Sequence, residues 1–288
     1  CEECGSRLKI PKPKKQRYTV KCSYSECGHT MRFDWGFNML RAFYWRLNLG
    51  FKKIKSKKLR KKLGDNIKAI ITNSENGLFA VDPEDLEVGQ KLRSGGFGIE
   101  ELERLKKFTD KESKVLIVGT HIGSLAIPLS KHCKEITAIE ANPKTFELLE
   151  INLQLNNIEN ITPHNIFAND SSEKVEFLLN TVNSGGSKRK PKKSNFLYDY
   201  DNPEVIELES HQLDNYLSEH NYDLILLDIE GSEYFAMKGM EKMFSKMSNS
   251  IREGGFVILG YIEEAGLFQR LLHFIKLRKF RGNSWSCH

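Results

Sequence analysis

No stretch of 18 uncharged apolar residues occurs in this 288-residue chain, so no membrane-crossing helix is expected. No apolar h-region follows a basic start, so nothing in it reads as a secretory leader. The chain begins at Cys1 rather than Met, as a trimmed or processed start would. There is no internal repeat, which excludes solenoids and propellers. Two nucleotide signatures are missing. G-x-G-x-x-G, which cradles a dinucleotide pyrophosphate, is absent, and so is the Gly-Lys-Ser/Thr of a phosphate-binding loop. Cysteine is scarce and unevenly placed: four of the six lie in the first 27 residues. That excludes a chain-wide disulfide framework and points to one local site.

Apolar residues make up 39% of the chain and charged residues 28%, enough for a sizeable core. The formal charge of +6 is local. Residues 52–62, "KKIKSKKLRKK", carry eight Lys/Arg and no acid, and residues 188–193, "KRKPKK", carry five more. The rest of the chain is net acidic. Such runs are either solvated surface or contacts for phosphate, anionic glycan or a membrane surface.

Cys1 and Cys4, then Cys22 and Cys27, flank a basic, proline-containing stretch that reads as a hairpin. Four thiolates suit tetrahedral zinc, held structurally. The four-residue gap of the second pair departs from the usual two; His29 is a substitute ligand, and disulfides or free thiols are the alternatives. The segment resembles short N-terminal zinc ribbons of the pattern CxxCG…C…CG. Residues 35–51, "WGFNMLRAFYWRLNLGF", read as a helix with a narrow polar side, either a connector packed on the main body or an interfacial membrane helix. The expected organisation is a zinc-ribbon-like module over 1–34, an aromatic and basic connector helix region over 35–63, and a main domain over 64–288.

In the main domain, "IKAIITN" and "GLFAVDP" read as short strands joined by "SENG", and "GGFGIEELERLKKF" as a glycine turn into a helix. Strands are then predicted at 115–118, 136–140, 161–166, 223–228 and 255–260. Helices are predicted at 124–132, 143–156, 232–246 and 264–277, with a loop over 181–203. This alternation predicts an α/β fold, a mostly parallel sheet with helices on both faces.

In such sheets ligands sit at the carboxyl ends of the strands, near the point where strand order reverses. "VLIVGTHIGS" ends a strand in Gly119 and continues to Gly123. Gly119 suits a tight turn, and Gly123 suits close approach of a cofactor to the backbone. "ITAIE" ends the next strand at Glu140, an acid placed to accept two ribose hydroxyls. A glycine turn, a strand-end acid and no pyrophosphate cradle favour S-adenosylmethionine over a nicotinamide dinucleotide. The candidate cofactor residues are Gly119, Thr120, His121, Gly123, Glu140, Ala141, Asn142, Asn165 and Asp228.

Residues 95–240 resemble the FkbM family of S-adenosylmethionine-dependent methyltransferases. The matching pieces are "VLIVGTHIG", "ITAIEANPKTFELLEINLQLNNIENIT", "NSGGS", "HQLDNYL" and "DLILLDIEGSE". The resemblance implies the class I methyltransferase fold, Rossmann-like in layout, and methyl transfer to a hydroxyl of a sugar or secondary metabolite. Three positions depart from the family's usual pattern. Ile117 stands where Asp is usual, Leu226 where Lys is usual, and His121 where Asn is usual.

"LLDIEGSE" places Asp228 at a strand end and Glu230 and Glu233 on the next turn. Crowded carboxylates raise one another's pKa, which makes Asp228 and Glu230 candidates for general base or acceptor positioning. Holding a divalent cation, contacting the cofactor and capping the helix are the alternatives. Asn183, Gly185, Gly186 and Ser187 of "NSGGS", with Glu233, are the candidate acceptor-binding residues. "KRKPKK" follows that loop without acids of its own, which favours an anionic acceptor. The leading expectation is a cytoplasmic O-methyltransferase acting on a glycan or related small molecule, with peripheral membrane contact through the 52–62 run. RNA ribose methylation and a catalytically weak cofactor-binding module are the competing readings. "DIEG" stands where nucleic-acid amino methylases carry Asn/Asp-Pro-Pro-aromatic, which disfavours base methylation.

Overall fold

The computed structural model describes residues 17–21, 30–64, 66–191, 203–251, 256–261 and 271–275. Strands β1 (Arg17–Lys21) and β2 (Thr30–Asp34) pair antiparallel. Cys1, Cys4, Cys22 and Cys27 lie outside the described residues. One helix, α1 (Trp35–Leu63), then carries both the aromatic segment and the basic run. The predicted helix stopped at residue 51, but no glycine–proline break follows, and the lysines and leucines of 52–63 are good helix formers.

Strands β3 (Ile70–Ser74) and β4 (Gly77–Val81) form a hairpin. Two short helices follow, α2 (Val88–Arg93) and α3 (Ile99–Leu105). The main alternation is β5 (Lys114–Val118), α4 (Ala126–Ser130), β6 (Glu135–Ile139), α5 (Pro143–Leu155) and β7 (Ile161–His164). An insertion supplies β8 (Phe167–Ala168), β9 (Lys174–Leu179), β10 (Lys188–Arg189) and β11 (Glu204–His211). The chain closes with α6 (Leu213–Tyr216), β12 (Leu224–Leu227), α7 (Glu233–Lys238), α8 (Glu241–Ile251), β13 (Phe256–Tyr261) and β14 (Leu271–Ile275).

The central sheet has the order β7-β6-β5-β12-β13-β14, with β14 antiparallel and the other five strands parallel. Strand order reverses between β5 and β12. The period of two along the strands sorts their side chains. Val115, Ile117, Leu224 and Leu226 pack into one core layer with α4 and α5. Leu116, Val118, Ile225 and Leu227 pack into the other, with α6, α7 and α8. Both layers are dry, which is why these strands read as unbroken apolar runs.

Three predictions need correction. Residues 271–275, expected within a helix over 264–277, form the antiparallel edge strand. "LLHFI" is a short apolar run, which periodicity alone does not assign to helix or strand. The helix expected over 232–246 is two helices broken at Gly239, where an added Cβ would lie 2.0 Å from the Asn169 carbonyl oxygen. The loop expected over 181–203 contains β10, which pairs with β9 in a second sheet of order β10-β9-β11-β8.

Candidate active site

The turn after β5 is built by contact between backbones. Gly119 has φ 91°, and a Cβ on it would sit 2.0 Å from the carbonyl oxygen of Asp228. Only glycine lets the cofactor-side turn lie against the end of β12. Gly123 (φ 87°) has a different duty, since a Cβ there would meet Leu149 at 2.9 Å and Ile127 at 3.0 Å. Its bareness serves packing against α5. Thr120 turns its hydroxyl onto the Ile117 carbonyl at 3.1 Å.

Glu140 follows β6 and is 8% exposed. Its Oε2 accepts from the His121 N–H and its Oε1 from the Asn142 N–H, each at 2.8 Å. Burial outweighs those bonds and pushes its pKa up to about 7. Asn142 caps α5 by accepting from the Lys144 and Thr145 amides, with Pro143 in the first turn. Asn165 donates to the Glu140 carbonyl at 2.8 Å and lies 3.3 Å from that of Ala141. Both asparagines therefore shape the turn that presents Glu140.

Gly119, His121, Glu140, Asp228 and Glu230 all line one open cleft at the reversal of strand order. Its floor is apolar. Ile117 and Leu226 both line it, each 2% exposed, and they are direct register partners on β5 and β12. The two departures in which an apolar side chain replaces a charge of opposite sign thus fall on one adjacent pair. Replacing a buried ion pair by packed apolar side chains of similar size is often neutral for stability or better. Neither replacement strands a charge.

The carboxylate turn divides its labour. Asp228 and Glu230 face the cleft, and Glu230 holds a left-handed backbone (φ 55°), a conformation a non-glycine residue keeps at some energetic cost. Glu233, the first residue of α7, instead reaches back to accept from the Ile229 N–H at 3.1 Å and so ties the turn to the helix, and burial raises its pKa. Among the described residues no group of three or more His, Cys, Asp or Glu could hold a metal ion, so the divalent-cation alternative finds no site there.

"NSGGS" folds over the cleft. Gly185 and Ser187 line it, Gly186 is buried with its carbonyl accepting from Asn180, and Asn183 closes the turn by accepting from the Gly186 amide. Two residues that the sequence did not single out hold this loop. The Ser184 hydroxyl donates to Asp85 Oδ2 at 2.6 Å, and His121 Nε2 lies 2.7 Å from the Ser184 Oγ itself. The serine proton is spent on Asp85, so Nε2–H is the donor. Asp85 is 3% exposed, and burial pushes its pKa up to about 6. His121 takes φ 55° to make this reach. Asp85 sits after β4, His121 after β5 and Ser184 after β9, so nothing in their sequence spacing links them.

Two members of the second basic run meet acids from elsewhere in the chain, while Lys192 and Lys193 lie outside the described residues. Arg189 pairs with Glu173 at 3.2 Å and Lys190 with Glu176 at 2.6 Å. The Arg189 guanidinium also lies 5.0 Å from the Phe235 ring centre, which sets β10 against α7. Lys188 differs from them. It is half-buried, burial pushes its pKa down, and the charges of Glu230 and Glu233 act against that.

A sheet of five parallel strands and an antiparallel edge, with a glycine turn, a buried strand-end acid and a carboxylate turn at its switch point, is the layout of the S-adenosylmethionine-dependent methyltransferase class. The chain belongs to the methyltransferase FkbM domain family, whose model matches residues 118–281. No curated protein matches it. Among solved structures it is similar to TYW2 of M. jannaschii in complex with AdoMet, at 28% identity over 34% of this chain and 43% of that one, with a TM-score of 0.29. It is also similar to the M. jannaschii tRNA m1G37 methyltransferase, at 26% identity over 35% of this chain and 31% of that one, with the same TM-score. An rRNA methylase from Streptococcus thermophilus is 15% identical over 56% of this chain and 68% of that one, with a TM-score of 0.34. The chain thus spans under half the length of the first two.

Proposed function

We propose that the protein transfers a methyl group from S-adenosylmethionine to a hydroxyl of a glycan or related metabolite. One observation carries the reading: the buried Glu140 and the Asp228–Glu230 turn open onto the same cleft at the switch point. The residues fit the cofactor, since a carboxylate stands where a ribose would lie and Ile166, Phe167 and Phe177 offer an apolar wall for a base. When bound, the cofactor supplies a methyl group on a sulfonium, which leaves as a neutral thioether. Asp228 or Glu230 aligns the acceptor hydroxyl and takes its proton as the new O–CH3 bond forms and the S–CH3 bond breaks. Asp85, Ser184 and His121 keep the loop over the cleft closed. The protein works in the cytoplasm in this reading, and Cys1, Cys4, Cys22 and Cys27 hold a structural zinc ion.

The test is turnover against cofactor affinity. Asp228→Asn or Glu230→Gln should lower kcat by about 10²–10⁴-fold and change the dissociation constant of S-adenosylmethionine far less. Near-normal turnover in both variants would return these residues to a structural role. RNA ribose methylation is the competing reading, supported by the exposed Lys55, Lys57, Lys58, Lys61 and Lys62 of α1. It requires RNA binding that weakens steeply with salt.

A further inference from the structure

The long helix α1 has a face that the cleft does not use. One side docks on the body. Lys52 pairs with Glu87, the Ser56 hydroxyl donates to the Glu84 carbonyl at 3.2 Å, and the Arg60 guanidinium donates to the Ile67 carbonyl. These residues recur every four positions and so share one side of the helix. Tyr44, Leu47, Phe51 and Ile54 are 72%, 48%, 65% and 53% exposed. Their spacing of three, four and three makes them one stripe, about 160° around the axis from the docked side and about 15 Å long. The same outward face continues into Lys58, Lys61 and Lys62, all exposed, with Lys55 beside it.

We propose that this face of α1 seats the protein on an anionic lipid surface, the apolar stripe entering the headgroup boundary and the lysines meeting lipid phosphates and carboxylates. Four large apolar side chains pointing away from the protein need cover from something apolar. The lysines that extend the stripe require that cover to be negatively charged as well. A second copy of the chain fits poorly. Parallel pairing would set Lys58, Lys61 and Lys62 against their own counterparts, and antiparallel pairing would press them onto the partner's apolar stripe. RNA fits the lysines but not Leu47 and Ile54, which offer no ring for a base to stack on. No helix of the described residues is long and apolar enough to cross a membrane, so the contact is peripheral.

Cosedimentation of the full chain with vesicles tests this. Mixed phosphatidylserine–phosphatidylcholine vesicles should carry the protein down, pure phosphatidylcholine vesicles should not, and added salt should release it. Replacing Lys58, Lys61 and Lys62 together by Gln should weaken binding about a hundredfold, at about fivefold for each charge. Leu47→Gln with Phe51→Gln should weaken it at least about tenfold. Both variants should keep the parent's affinity for S-adenosylmethionine, because Leu47, Phe51, Lys58, Lys61 and Lys62 are exposed and none of them lines the cleft. The proposal is overturned if the parent ignores the anionic vesicles, or if the stripe variant sediments as the parent does. It is overturned equally if the stripe variant converts a dimer to a monomer in solution, or if the parent leaves the vesicles for added RNA.

Discussion

As the proposed ribose ligand, Glu140 faces two opposed demands. A ribose is best held by an ionised carboxylate, yet burial favours the neutral acid and lifts its pKa from 4.5 to about 7. The folded pKa is raised, so the stability this group contributes to the cofactor-free protein is full below its unfolded value and is lost as pH rises through about 7. Ribose hydroxyls reverse the preference by donating to the carboxylate. Cofactor affinity should therefore increase by about tenfold between pH 6 and pH 8, measured by calorimetry. Glu140→Gln should flatten that rise, and Glu140→Ala should cost at least about tenfold in affinity at pH 8. Ile117 and Leu226 form the other telling pair. Ile117→Asp or Leu226→Lys alone places a lone charge in the buried apolar floor of the cleft, at about 3–5 kcal/mol, while the double variant supplies a pair and should recover part of that. Denaturant titration of the three variants measures the coupling. The place of Glu140 at the end of β6 was legible in the sequence because the apolar run "ITAI" stops there. The register that makes Ile117 and Leu226 partners was not, because it joins strands far apart in the chain.

Among the elements, the parallel strands were the most legible. They are apolar on both faces and leave contiguous runs in the text, from "VLIV" to "LILL". The insertion was least legible. β9 and β11 alternate charged and apolar residues in ways a surface loop also can, and β10 is two residues long. Its cost to the sequence reading was concrete: "KRKPKK" counted as bare charge, whereas Glu173 and Glu176 of the same insertion answer two of its members. Arg189→Gln with Lys190→Gln should therefore leave the acceptor KM within about twofold, since exposed ion pairs are worth little. Lys188→Met should shift KM or the pH profile, because the Lys188 charge acts with those of Glu230 and Glu233 at the cleft. The link from Asp85 through Ser184 to His121 belongs to this scale as well. Ser184→Ala or Asp85→Asn frees the loop after β9 and should weaken cofactor binding by about fivefold, the worth of one hydrogen bond; calorimetry reads it directly.

Taken whole, the molecule is a sheet whose central pair, β5 and β12, is assembled from strands far apart in its sequence. Its N-terminal cysteines make a separate forecast: metal analysis of the purified protein should give about one zinc ion per chain. Metal-free protein that keeps β1 and β2 paired would remove it. The central sheet has a different consequence. Strand β5 is flanked on one side by β6 and on the other by β12, and the Lys114 amide that begins β5 donates to the Asp223 side chain 109 residues later. On a ribosome, everything through β11 emerges before the strand that completes the cleft floor. Until then Gly119 has no Asp228 carbonyl to lie against, and Leu226, Asp228, Ile229 and Glu230 are missing from the lining of the cleft. S-adenosylmethionine thus has no site on the nascent chain and cannot template its own pocket. It acts only on the finished sheet, slowing its unfolding and leaving the slow long-range closure to the polypeptide alone.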